Sequence, residues 1–171
     1  MFSKLKPDFL MNKFSDASVE FLKSHGFSGM ILDVDNTLEP YENPLPTDEV
    51  LKWFSELKEA GISCAIVSNN SQSRIDHFNS ELKLIAYSKA KKPFAKNIKK
   101  AMKDIGTDEA NTVFMGDQIF TDVLGAHNAG IKAILLPPIK DKRDIFTRFK
   151  RFLEKPIIKS VRKKQKGKDG E

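Results

Sequence analysis

Apolar residues recur along this chain in two rhythms. Compact, mostly apolar runs at Gly29 to Val34, Ser63 to Val67, Leu84 to Tyr87, Thr112 to Met115 and Ile131 to Leu136 have the length of buried strands. The intervening stretches carry apolar residues at helical spacing. Thr47 to Ala60 aligns Val50, Leu51, Phe54 and Leu57, with Thr47 as N-cap and Gly61 as stop. Ser71 to Leu82 puts Ile75, Phe78 and Leu82 on one face. Phe94 to Ile105 and Phe120 to Ala129 also read as helices, ended by Gly106 and Gly130, and Pro137-Pro138 breaks the last strand. Strands that alternate with helices of this length need crossover connections. The pattern therefore predicts an α/β fold, a parallel sheet with helices on both faces.

Such sheets bind ligands beyond the carboxyl ends of their strands. Polar residues gather at those places. Asp33 and Asp35 end the first strand and Ser68-Asn69-Asn70 the second. Lys91-Lys92-Pro93 follow the third and Gly116-Asp117 the fourth, with Asp122 five residues on. The polar stretch Glu39 to Asp48, with Pro40, Pro44 and Pro46, is a loop too short to be a domain.

Composition narrows the classes. The chain has 171 residues, 40% hydrophobic and 30% charged, an ordinary mixture for one domain with a real core. One cysteine, Cys64, excludes an internal disulfide and suits a reducing, cytoplasmic setting; its apolar surroundings make it a small core residue. No segment has the roughly 18 apolar residues of a spanning helix, and the N-terminus has no apolar stretch of the signal-peptide kind. The net charge of +6 is lopsided: from Lys140 onward there are 13 Lys and Arg against 5 Asp and Glu, and residues 1–139 hold 16 against 18. Any attraction to an anionic partner is thus confined to the last fifth of the chain.

The residues at the strand ends suit phosphoryl transfer. On an extended strand Asp33 and Asp35 point the same way, and two such carboxylates repel unless a cation joins them. Magnesium favours carboxylate and phosphate oxygens, and Asp117 supplies a third carboxylate from another strand. A lysine at the same rim offsets phosphate charge, and Ser68 with the backbone N–H groups of its turn offers donors. The bland alternatives are weaker. An EF-hand loop needs glycine where Leu38 stands and glutamate where Pro44 stands. Ser68 has the competing role of capping the next helix. His25, His77 and His127 lie apart from the carboxylates and read as surface or packing residues.

Asp33-Val34-Asp35-Asn36-Thr37 resembles the DxDxT motif that opens the haloacid dehalogenase (HAD) superfamily. Val67-Ser68-Asn69-Asn70 resembles its second motif, Ala90-Lys91-Lys92-Pro93 its third, and Gly116-Asp117-Gln118-Ile119-Phe120-Thr121-Asp122 its fourth, GDxxxxD. All four stand in the family's order. The resemblance implies a Rossmann-like three-layer α/β/α fold with a parallel central sheet. It also implies a magnesium-dependent phosphomonoesterase. Asp33 would be the nucleophile that forms an aspartyl-phosphate, and Asp35 the general acid and base, with its backbone carbonyl on the metal. Ser68 and the Asn69 backbone would hold the phosphate. Lys92, beside the proline, would stabilise both partners, with Lys91 as its competitor. Asp117 would ligate magnesium, and Asp122 would support the metal site. Dehalogenases of this superfamily lack the second aspartate, so Asp35 implies phosphate esters. The gaps between motifs, about 30 residues and then 22 or so, leave no room for a cap domain, so the chain looks like a capless, IIIA-type member. Within that type it is most similar to YqeG-type phosphatases, a group akin to the phosphatidylglycerophosphate phosphatases.

The resemblance thus implies a single phosphatase domain over 1–139, with a core of about 27–137, followed by a basic amphipathic helix and disordered tail over 140–171. Ile145, Phe146, Phe149, Phe152 and Leu153 share a helical face flanked by Lys142, Arg143, Arg148, Lys150, Arg151 and Lys155. That face either covers the sheet or lies on an anionic membrane surface, making the protein peripheral on the membrane's inner face. Phe2, Leu5, Phe9, Leu10, Met11 and Phe14, with Lys4, Lys6 and Lys13, extend the same surface in the membrane reading. The favoured substrate is phosphatidylglycerophosphate. The rivals are a nucleotide, sugar phosphate or phosphoprotein, or an RNA- or ribosome-binding role for the tail from Arg162 to Lys168.

Overall fold

The structure, a computed structural model, describes the backbone of residues 2–140 and 145–166 and the side chains of 3–140 and 152–163. Six strands form one parallel sheet: β1 (Phe9–Leu10), β2 (Gly29–Leu32), β3 (Ser63–Val67), β4 (Ile85–Tyr87), β5 (Thr112–Gly116) and β6 (Lys132–Leu135), in the order β1-β6-β5-β2-β3-β4. The fold is the expected Rossmann-like α/β/α architecture. The strand that carries the two aspartates lies inside the sheet, with Met30 opposite Cys64 on one side and Val113 on the other.

The period-2 alternation of β2 explains the three layers. Met30 and Leu32 face one apolar cluster, closed by α1 (Val19–Ser24), α2 (Asp48–Glu59) and α3 (Gln72–Leu82) through Leu22, Trp53, Leu57, Ile75 and Phe78. Ile31 faces the other, closed by α4 (Lys96–Asp104) and α5 (Leu124–Ala129) through Ile98, Ala101, Met102, Ala126 and Ala129. Full burial of each large aliphatic or aromatic side chain contributes about 1.5–3 kcal/mol. Only the loop and α2 separate β2 from β3, and α3 alone separates β3 from β4, so no cap domain interrupts the described residues. Cys64 sits in β3, and burial pushes its thiol up to about 12, as befits a packing residue.

The N-terminus departs from its reading as membrane-facing surface. Phe14 is buried, Phe9 and Met11 pack on the first cluster, and Leu5 and Leu10 on the second. Phe9 and Leu10 add the sixth strand by pairing with Ile134 and Leu135 of β6. A polar tie holds this segment: Asp8 Oδ2 accepts from the Ala133 N–H at 2.8 Å and lies 2.9 Å from His127 Nε2, while His127 Nδ1 lies 2.6 Å from the Lys4 carbonyl. The Asp8 hydrogen bond, with the Lys4 carbonyl's help, outweighs burial and raises the pKa of His127 above its ordinary value of 6.5. Burial works to raise that of Asp8, but the His127 and Ala133 hydrogen bonds hold it below 3.8. The histidine's contribution is complete below 6.5 and is lost as pH rises through its higher folded value. The aspartate's is present above 3.8 and is lost as pH falls through its lower folded value. Wild type should therefore exceed His127→Gln in urea midpoint most clearly between those two limits, with the gap narrowing at alkaline pH. A gap independent of pH would remove His127 from this role.

The C-terminal helix also differs in detail. α6 (Ile145–Lys166) runs further than the sequence pattern indicated, through most of the segment read as disordered. Phe152 and Leu153 of the expected apolar face are exposed, whereas Ile157 and Ile158 pack on the second cluster and Val161 is buried. The side chains of Ile145, Phe146 and Phe149, and of the basic residues from Lys142 to Arg151, lie outside the described residues.

Candidate active site

β2 ends at Leu32, and the chain turns at once. Asp33 still hydrogen-bonds as sheet, its N–H donating to the Met115 carbonyl at 3.0 Å. Asn36 then adopts a φ of +61°, a left-handed conformation that asparagine tolerates better than most residues. The two aspartates have different partners. Asp33 faces the carboxylates of Asp117 and Asp122, and oxygens of the three lie within 4.8 Å of one another. The Asp35 carboxylate lies elsewhere: its Oδ2 accepts from Asn70 Nδ2 at 2.7 Å and its Oδ1 from Arg74 at 3.0 Å. The Asp35 side chain is not among the three carboxylates that converge.

Lys92 Nζ lies 3.1 Å from Asp33 Oδ1 and 2.8 Å from Asp122 Oδ1. Burial opposes the lysine's charge, but the Asp122 and Asp33 carboxylates outweigh it and hold its pKa above the ordinary value. For Asp122 burial dominates and raises the pKa, with Lys92 opposing and Asp33 adding to the rise. Lys91 is exposed with a φ of +56°, so of the two lysines it is Lys92 that enters the cluster.

The loops show how each side chain is set. Asn69 brackets the backbone of Lys92, its Oδ1 accepting from the Lys92 N–H at 2.7 Å and its Nδ2 donating to the carbonyl at 3.2 Å. Buried Ser68 accepts from the Asn70 N–H at 3.2 Å, a turn-forming contact, while Ser71 caps α3. The expected helix from Phe120 begins as a π-helical turn, Ile119–Val123, before α5. That wider turn brings Asp122 back under its own loop, where Oδ2 accepts from the N–H groups of Asp117 and Gln118 at 3.1 and 3.0 Å. A Cβ on Gly116 would overlap the Asp122 side chain, which explains the glycine of this motif. Thr37 Oγ1 donates to Asp117 Oδ1 at 3.3 Å.

Two contributors had no sequence signal. Arg74 was read only as part of a helix. Buried Glu154 of α6 accepts from the Ile119 N–H at 2.9 Å, so the C-terminal helix braces the loop that carries Asp117. A glutamate inside an apolar stripe gave no hint of that anchor.

The donor set fits a hard divalent cation. Three buried carboxylates converge, and Lys92 offsets only part of their charge. His25, His77 and His127 bond to other groups and take no part.

Residues 16–136 match the family model for haloacid dehalogenase-like hydrolases. "Probable phosphatase YqeG" of Bacillus subtilis is 35% identical over 158 residues, 92% of each chain. "Phosphatidylglycerophosphate phosphatase 1, chloroplastic/mitochondrial" of Arabidopsis thaliana is 29% identical over 82% of this chain and 43% of its own length. Among solved structures, the cobalt-bound deoxy-D-mannose-octulosonate 8-phosphate phosphatase of Haemophilus influenzae superposes with a TM-score of 0.52 at 16% identity, over 66% of this chain and 80% of that one.

Proposed function

We propose, for a chain that belongs to the haloacid dehalogenase-like hydrolases and is a phosphatase, that it is a magnesium-dependent phosphomonoesterase working through Asp33 on a membrane-borne phosphate ester, phosphatidylglycerophosphate being the favoured substrate. The observation that carries the chemistry is the convergence of Asp33, Asp117 and Asp122 around Lys92 at the carboxyl ends of β2, β4 and β5. A carboxylate oxygen of Asp33 attacks phosphorus while Asp35 delivers a proton to the leaving oxygen, and Asp35 then takes a proton from the water that releases phosphate. Ser68 and the Asn69 backbone cradle the phosphoryl oxygens, and Lys92 offsets their charge. Magnesium, held by Asp33, Asp117 and the Asp35 carbonyl with Asp122 behind them, would supply the remaining neutralising charge.

Two structural observations support a lipid substrate. No cap closes over the site among the described residues. Tyr41, Leu45, Phe94 and Ile139, all exposed, stand on the connections that leave the carboxyl ends of β2, β4 and β6. Phe94, two residues past Lys92, is 72% exposed. The Arabidopsis relative's name points the same way. No helix among the described residues is long and apolar enough to cross a membrane, so the reading is of a peripheral surface contact.

Phosphate release should be faster from phosphatidylglycerophosphate in anionic vesicles than from soluble phosphate esters at equal concentration. EDTA should abolish it and magnesium restore it. Phe94→Ser should slow vesicle turnover more than soluble-ester turnover. A clear preference for a nucleotide or sugar phosphate would replace the lipid with a soluble substrate.

A further inference from the structure

Arg74, in the first turn of α3, is aimed into the site. Its Nε and Nη2 both lie 3.0 Å from one oxygen, Oδ1 of Asp35. Its Nη1 donates to the Pro44 carbonyl of the Glu39–Thr47 loop at 3.0 Å. The pair is nearly dry, the Arg74 and Asp35 side chains being 9% and 8% exposed. The Phe78 ring lies 5.6 Å from the guanidinium carbon, and the Arg74 N–H donates to the Ser71 cap. The guanidinium is therefore held from several sides.

Asn70 completes the grip. Its Oδ1 accepts from the Ser71 N–H at 2.7 Å, which leaves the amide's donor end to face Asp35 Oδ2 at 2.7 Å. The two oxygens of Asp35 are thus distinguished. Oδ1 accepts from the guanidinium Nε–H and lies against the charge of Nη2, and Oδ2 meets one neutral amide.

We propose that Arg74 is the positioning residue of the acid–base step, fixing Asp35 by Oδ1 so that Oδ2 is the oxygen that carries the proton. The inference rests on the reading of Asp35 as general acid and base. In the first half-reaction the Oδ2–H bond breaks and an O–H bond forms on the leaving oxygen as its bond to phosphorus breaks. In the second, Oδ2 takes a proton from water as the water oxygen bonds to phosphorus and the Asp33–phosphorus bond breaks. The Nη1 contact to Pro44 ties this orientation to the loop that bears Tyr41 and Leu45, so loop position and acid–base geometry move together.

Leaving-group dependence tests the idea. The parameter kcat/KM reports steps through departure of the leaving group, and an alkoxide needs the proton whereas p-nitrophenolate scarcely does. Arg74→Met should raise the ratio of kcat/KM for p-nitrophenyl phosphate to that for an alkyl phosphate by about 10–100-fold. Arg74→Lys, which keeps the charge but lacks the planar fork that joins Asp35 to the Pro44 carbonyl, should recover only part of the loss and serves alone if Arg74→Met does not fold. Asp35→Asn is the reference. If Asp35→Asn lowers both esters equally, the acid–base reading fails. If Asp35→Asn shifts the ratio and the Arg74 variants do not, the positioning proposal fails.

Discussion

Asp33→Asn should lower phosphate release by roughly four to six orders of magnitude, the loss seen when a nucleophile is removed from a covalent mechanism. The substitution keeps shape and keeps an oxygen that can accept from Lys92, which now lies 3.1 Å from Asp33 Oδ1. It removes the nucleophile and one of three converging negative charges. The folded state should therefore survive, and in EDTA its thermal midpoint should equal or exceed that of wild type, because repulsion within the carboxylate cluster falls. Paired measurements of turnover and melting check both halves. Near-normal activity would rule out the aspartyl-phosphate route, and loss of activity through unfolding would leave the charge argument wrong.

The strands and the loops between them were legible because their signals are local. Each buried strand is a short, mostly apolar run, and each motif loop stands soon after one. The expected positions of β2 to β6 agree with those observed to within a residue or two. β1 escaped because two residues, Phe9 and Leu10, show no periodicity, and their lysine-rich neighbours imitate a surface segment. The two aspartates were expected to need a shared cation because they point the same way on an extended strand. Asp35 instead bonds Asn70 and Arg74, 35 and 39 residues away, partners that no local pattern announces.

Long-range partnerships were the least legible. Arg74 stands in a polar helix start, 39 residues from the carboxylate it grips, and nothing in its neighbourhood marks it. α6 is instructive for another reason. Bulk hydrophobicity nominated Phe152 and Leu153, yet Glu154, Ile157, Ile158 and Val161 form the side turned to the domain. A helix with two apolar faces cannot be oriented from its own sequence. Its buried Glu154 is satisfied by an N–H of the site loop, so a truncation beginning there would disturb the active site along with any surface role.

Lys92→Met should have the largest effect on stability. The substitution nearly preserves length but leaves Asp33 and Asp122 buried without their shared cation. Removing one partner from a buried ion pair costs about 3–5 kcal/mol. For a chain of this size that corresponds to roughly 6–20 °C in melting temperature. Burial already raises the pKa of Asp122 against the pull of Lys92, so part of the cost is relieved by a proton once the lysine is gone. A divalent cation should offset more of it, since a ligand at a hundred times its dissociation constant stabilises the folded state by about 2.7 kcal/mol. Magnesium should therefore raise the melting temperature of Lys92→Met, whereas in EDTA the variant melts well below wild type. Adding Asp33→Asn to Lys92→Met should recover stability in EDTA, because each removes an opposite member of the same pair. If Lys92→Met melts with wild type in EDTA, or the double variant is less stable than Lys92→Met alone, the charge balance assigned to this cluster is wrong.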